Sequence, residues 1–157
     1  MAPIKVGIVG YGFSTSCFHL PYILPNHDLE VYAFLQRAAP PTGPDDTPRW
    51  SHCTIDFPQA KHYRTADEFY ADDLIELVVV LTADHEEFVE KGLLARKHGG
   101  LLSQLVVMKT GRANQWGWVV VVVEKPFVKT SAEADRLIAL AKEKGVILTV
   151  FHSELSS

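Results

Sequence analysis

The sequence predicts an α/β fold, a doubly wound parallel sheet with helices on both faces, and three observations carry that expectation. Short apolar runs alternate with segments of helical period along most of the chain. The run at 75–81 is apolar at almost every position, as a strand covered on both faces must be. The run at 4–9 breaks abruptly into Gly10-Tyr11-Gly12 and then into Ser14-Thr15-Ser16, which reads as strand, tight turn and helix start.

With 157 residues, 47% of them hydrophobic, the chain suffices for one domain with a real core, and the expectation is a single domain over 1–157. A net charge of -4 without any Lys/Arg run leaves no electrostatic footprint for nucleic acid or an anionic membrane surface, so a small-molecule partner is expected. Cys17 and Cys53 form no CxxC pair and read as free thiols, with no metal site expected. Met1-Ala2-Pro3 leads straight into the first strand, and no apolar run approaches the ~20 residues that span a bilayer, so a soluble cytoplasmic protein is expected.

In order along the chain, the glycine turn comes first. Gly10 can adopt a backbone conformation closed to other residues, and Gly12 lets the main chain approach a pyrophosphate. The helix start then turns free N–H groups toward the anion, which makes Gly10, Tyr11, Gly12, Phe13 and Ser14 candidate cofactor-binding residues. Thr15 stands where the dinucleotide fingerprint asks for Gly or Ala, so the pattern is incomplete and an ordinary strand-to-helix turn stays open. Cys17, Phe18, Leu20, Tyr22, Ile23 and Leu24 suit a short buried helix over 14–24, kinked at Pro21.

A second strand is expected at 29–35. At its end, about 20 residues past the glycines, the dinucleotide fold uses an Asp or Glu to bond the ribose hydroxyls. Gln36-Arg37 stands there instead, which favours the extra phosphate of NADP over NAD, because Arg binds phosphate through two parallel hydrogen bonds. A solvated surface Arg is the alternative. Residues 38–60, with Pro40, Pro41, Pro44, Pro48 and Pro58, read as a long surface loop. Residues 61–64 suit a short edge strand, and Thr65 with Glu68 gives the capping-box pattern for a brief helix to about Ala71.

The central strand at 75–81 delivers Thr82-Ala83-Asp84-His85 to the carboxyl edge, where ligands bind in open α/β sheets. A helix over 86–97 carries Phe88, Val89, Leu93 and Leu94 on one side. The valine run 119–123 is a fifth strand, ending in Glu124-Lys125-Pro126. Thr130 and Glu133 form a second capping box, opening a helix that runs to Lys144 and stops at Gly145, with a last strand at 146–151.

Gly10-Tyr11-Gly12 after the first strand and Glu124-Lys125-Pro126 after the fifth together resemble the Gfo/Idh/MocA family of nicotinamide-dependent sugar and polyol oxidoreductases. Phe18-His19-x-Pro21, Asp56-Phe57-Pro58 and the stretches 61–67, 77–82 and 130–151 extend that likeness over nearly the whole chain. The resemblance implies a Rossmann domain and places Lys125 beside the nicotinamide and the reacting carbon, where an ammonium lowers the cost of alkoxide character as hydride leaves a C–OH group. It makes Glu124 an orienting residue and Thr82 part of the cofactor loop. Because Thr82-Ala83 replaces the usual Thr-Pro, His85 and Glu87 are only uncertain counterparts of the family's loop residues, and His85 is expected to be a plain solvent-facing loop histidine.

Two departures concern architecture. Residues 99–118 read as an atypical insert without clear period, either a genuine loop or a retained intron. The second domain of the family, which supplies the substrate pocket and a proton-transferring His, would begin near Phe151-His152-Ser153-Glu154 and is expected to be missing. The chain is therefore expected to bind a nicotinamide dinucleotide, NADP rather than NAD, without turning over alone. A sugar-like substrate is expected only where a second domain is present, and oligomerisation is not expected without that domain's sheet. A non-catalytic dinucleotide-binding regulator and a non-functional fragment are the alternatives.

Overall fold

The computed structural model describes residues 2–42, 48–82, 85–95, 119–123 and 128–150. β1 (Ile4–Val9), β2 (Leu29–Leu35), β3 (Lys61–Tyr63), β4 (Leu77–Val80), β5 (Val119–Val123) and β6 (Val146–Val150) form one sheet of six strands in the order β3-β2-β1-β4-β5-β6. Each neighbouring pair is parallel. This is the strand order of the doubly wound dinucleotide fold, with its switch point between β1 and β4.

Alternation along the strands sends side chains to two apolar cores, one on each side of the sheet. Val6, Ile8, Phe34, Leu77 and Val79 pack with Leu20 and Ile23 of α1 (Leu20–Ile23) and with Cys53 of α2 (Cys53–Asp56). Val9, Ala33, Leu35, Val78 and Val80 pack against α3 (Ala66–Ala71), α4 (His85–Leu94) and α5 (Ser131–Lys144), through Phe69, Phe88, Val89, Leu93 and Leu137. The helix over Gly7 comes so close that a Cβ there would stand 2.6 Å from Phe69 Cζ and 2.7 Å from Ile75 Cγ2, so β1 needs its glycine for space. Among the described residues no helix is long and apolar enough to cross a membrane.

The capping signals act as local chemistry demands. At α5 the Thr130 hydroxyl accepts from Glu133 N–H (3.2 Å) and the Glu133 carboxylate accepts from Thr130 N–H (3.0 Å), while Gly145 closes the helix at φ +68. At α3 the box is half made: Thr65 Oγ1 accepts from Glu68 N–H, but the Glu68 carboxylate takes the Thr65 hydroxyl instead of its backbone N–H.

Two expectations are corrected. The first helix is a π segment, Thr15–His19, in which Leu20 N–H donates to Thr15 C=O, five residues back. It then tightens into α1 with Pro21 in the first turn, where a missing N–H is tolerated. Its buried face is Thr15, His19, Leu20 and Ile23; Phe13, Phe18, Tyr22 and Leu24 are exposed. The supposed surface loop 38–60 contains α2, with His52 and Cys53 buried, because Cys53 and Phe57 cover the end of the core beside Phe34. The insert 99–118 and the tail from Phe151 lie outside the described residues.

Candidate functional site

The ends of β2, β1 and β4 are tied side by side at the carboxyl edge. Gly10 N–H donates to Leu35 C=O (2.9 Å), Leu81 N–H to Val9 C=O (2.9 Å), and Gln36 N–H to Tyr63 C=O (3.0 Å). The glycine turn therefore sits against the Thr82 strand end on one side and the Gln36 strand end on the other.

At Gly10 φ is +95, a region that side chains rarely adopt, and a Cβ would lie 3.0 Å from Thr82 Cγ2. A Cβ at Gly12, by contrast, would meet nothing within 4 Å, so the space above the turn is open. Ser16 N–H and Ser16 Oγ both donate to Gly12 C=O, at 3.0 and 2.9 Å, which starts the helix at this glycine. Thr15, the departure from the fingerprint, is accommodated: it is buried and its hydroxyl donates to Gly10 C=O at 3.2 Å, bracing the turn from within.

Two hydroxyls at this edge, Ser14 Oγ and Thr82 Oγ1, are buried without a hydrogen-bond partner among the described residues. Buried polar atoms are normally paired. Donors on both sides of an open, glycine-lined turn at a helix start fit the oxygens of a diphosphate.

Tyr11 is turned the other way. Its ring packs edge-on to Phe34 and Phe57, and its hydroxyl donates to Asp56 Oδ2 at 2.8 Å. Burial, then the bonded Asp56, push its phenol well above the ordinary range. The same Asp56 oxygen accepts Trp50 N–H at 2.8 Å, and Trp50 is held at φ +69. Asp56 thus pins the α2 segment to the glycine turn. It stood in the Asp56-Phe57-Pro58 stretch, but no pattern along the chain paired it with Tyr11. Phe13 is 75% exposed, edge-on to Phe18.

At the β2 end the side chains of Gln36 and Arg37 part company. Gln36 Oε1 accepts Cys53 N–H (2.9 Å) and its Nε2 donates to Ser51 C=O (3.2 Å), so its amide serves the fold. Arg37 is exposed, its guanidinium carbon 5.6 Å from the Phe88 ring centroid, and its carbonyl accepts from Arg64 Nε at 3.2 Å. Arg64, exposed as well, was quoted only as part of a stretch; its proximity to Arg37 depends on β2 pairing with β3. Glu124 and Lys125 lie outside the described residues, as do Ala83 and Asp84, and His85 opens α4.

Residues 4–152 match the family model described as the oxidoreductase family with an NAD-binding Rossmann fold, GFO_IDH_MocA. An uncharacterized oxidoreductase of Schizosaccharomyces pombe, C26H5.09c, is 38% identical over 98% of this chain and 34% of its own length. The scyllo-inositol 2-dehydrogenase (NADP(+)) IolW of Bacillus subtilis is 32% identical over 96% of this chain and 33% of its own. A crystal structure of an oxidoreductase from Bacillus cereus superimposes with a TM-score of 0.67 at 25% identity, over 94% of this chain and 34% of that one. The chain spans about a third of the length of the relatives it matches.

Proposed function

This chain belongs to the Gfo/Idh/MocA family of oxidoreductases, and from that premise we propose that its residues bind NADP(H) in preference to NAD(H), for oxidation or reduction at sugar or polyol carbons. The observation that carries the cofactor choice is the strand end after β2, where exposed Arg37 and Arg64 are neighbours, Arg64 Nε donating to the Arg37 carbonyl, with no carboxylate at Gln36 to claim the ribose hydroxyls. Two guanidinium groups suit a phosphate on the adenosine ribose, and a carboxylate there would repel it. The NADP(+) in the name of the Bacillus relative agrees with this reading.

The turn residues supply the rest of the binding. Main-chain N–H groups from Gly12 onward, with the hydroxyls of Ser14 and Thr82, hold the diphosphate, and Gly12 keeps the approach open. When bound, the nicotinamide supplies hydride transfer. Lys125, following β5, is proposed to lie beside the reacting C–OH and stabilise negative charge on its oxygen, with Glu124 orienting it. Lys125→Ala, in a form of the protein carrying a complete second domain, is expected to abolish turnover and spare cofactor affinity; unaltered turnover refutes that role.

The deciding experiment is a fluorescence titration with NADPH and NADH alongside thermal unfolding. Saturable NADPH binding with a raised melting temperature is expected, because a ligand that binds only the folded chain stabilises it. Arg37→Ala should lower NADPH affinity about 10-fold, equivalent to ~1.4 kcal/mol, and leave NADH unchanged. An unaltered ratio sinks the NADP assignment; a folded chain that binds neither nucleotide sinks the cofactor reading.

A further inference from the structure

His52, Cys53 and His62 come together beside the strand end of Gln36: one nitrogen of each imidazole and the Cys53 sulfur lie within 4.8 Å of one another. His52 precedes α2 and His62 lies in β3, so pairing of β3 with β2 and the packing of Cys53 into the core make the cluster. The rings stand edge to face at 4.8 Å. Their hydrogen bonds settle the tautomers. His62 Nε2 meets Gln36 C=O at 2.8 Å and His52 Nε2 meets Ala38 C=O at 3.2 Å. A carbonyl only accepts, so each Nε2 donates, and in the neutral ring Nδ1 is the nitrogen that carries the lone pair.

An imidazole whose second nitrogen donates to a backbone carbonyl is the form that metal ions bind. His62 Nδ1 has no bond among the described residues; the His52 Nδ1 lone pair accepts from Thr54 N–H at 3.3 Å and lies 2.9 Å from the Thr54 hydroxyl, contacts that a bound ion displaces.

We propose that His52, Cys53 and His62 form a binding site for a thiophilic divalent cation of the zinc type, with solvent as fourth ligand. Two imidazoles and a thiolate are a donor set such ions take. Zinc bonds of about 2.0–2.3 Å put donor atoms roughly 3.3–3.6 Å apart, so the widest separation in the cluster, up to 4.8 Å, closes by about 1.2–1.5 Å on binding. His62, partly exposed, gives access. The thiolate is the form that binds, so the ion displaces the thiol proton: the S–H bond breaks, a sulfur–metal bond forms, and one proton passes to solvent. The site is independent of the cofactor reading, although Gln36 touches both.

The test is Co2+ titration of the reduced full chain carrying Cys17→Ser, which removes the exposed thiol. A thiolate-to-cobalt charge-transfer band saturating at one ion per chain is expected, with about one proton released and stoichiometric displacement by Zn2+. Cys53→Ser should lose the band. Because Cys53 is part of the core, His62→Gln on the same background is the second variant: with its circular dichroism unchanged, it should bind at least ~10-fold more weakly. Absence of the band in the Cys17→Ser chain, its persistence in Cys53→Ser, or unchanged affinity in His62→Gln overturns the site.

Discussion

The glycine turn after β1 and the strand end after β2 are neighbours on one sheet edge, joined by the Gly10 to Leu35 hydrogen bond, and they are built from different materials. The turn works through backbone: a positive φ, an open space over Gly12, and hydroxyls of Thr15 and Ser16 spent on carbonyls of the turn itself. The strand end works through side chains, with Gln36 and Asp56 fastening α2 while Arg37 and Arg64 are exposed. Backbone geometry tolerates substitution badly, because strain and lost space fall on the whole turn. Exposed side chains can be exchanged one at a time, with graded effects.

The largest break is therefore expected at Gly10. Gly10→Ala forces a Cβ to within 3.0 Å of Thr82 Cγ2 at φ +95 and should cost about 1–3 kcal/mol of stability. Dinucleotide affinity should fall on the order of 100-fold for both cofactors, the equivalent of ~2.7 kcal/mol; retained binding would mean that the turn is not the cradle. Next comes the arginine pair. Arg37→Ala with Arg64→Ala should lose NADPH affinity beyond either single change while NADH binding holds, and equality of the double with Arg37→Ala would remove Arg64 from the phosphate site.

A smaller, purely structural effect is expected on the other side of the comparison. Asp56→Ala leaves the Tyr11 hydroxyl and Trp50 N–H without their acceptor and should cost about 1–3 kcal/mol in denaturant unfolding, with the NADPH to NADH ratio unmoved. A moved ratio would show that the two regions are not separable.

The smallest lies away from both. Asp72 accepts from Tyr63 Oη (2.6 Å), Lys61 Nζ (2.9 Å) and Leu74 N–H (3.0 Å). Burial alone would raise its pKa, but these bonds outweigh that and hold it well below the usual carboxylate range. A depressed folded value means that the stabilisation is present above the unfolded value of about 3.9 and is lost as pH falls from there toward the folded value. Asp72→Asn should flatten that part of the acid unfolding curve, and an unchanged curve would contradict it.

How much was legible beforehand follows from how local each feature is. β1, the valine-rich strands and both ends of α5 could be read because apolar runs, Thr130, Glu133 and Gly145 act within a few residues of themselves. The π segment could not, since the demand of Pro21 and the burial of only one face of 13–24 are settled jointly with the strands beneath. Nor could α2: its proline-rich approach looks like surface, and Cys53 and Phe57 turn inward because they cover the flank of Phe34, which is fully buried as a result. In the candidate site Gly10, Ser14, Thr82 and Arg37, singled out along the chain, lie at one sheet edge, while the partners Asp56, Arg64 and the His52, Cys53 and His62 group went unpaired.

What the sequence by itself determined is the alternation of strand and helix, the position of the turn and the family, because apolar period, glycine placement and capping are properties of short segments. Tertiary structure alone decided which side chains face one another across segments. Parallel pairing of β2 with β1 and β3 brings Arg64 to Arg37, Asp56 to Tyr11 and His62 to Cys53, and that register is set by the burial of two sheet faces at once, which no single segment encodes.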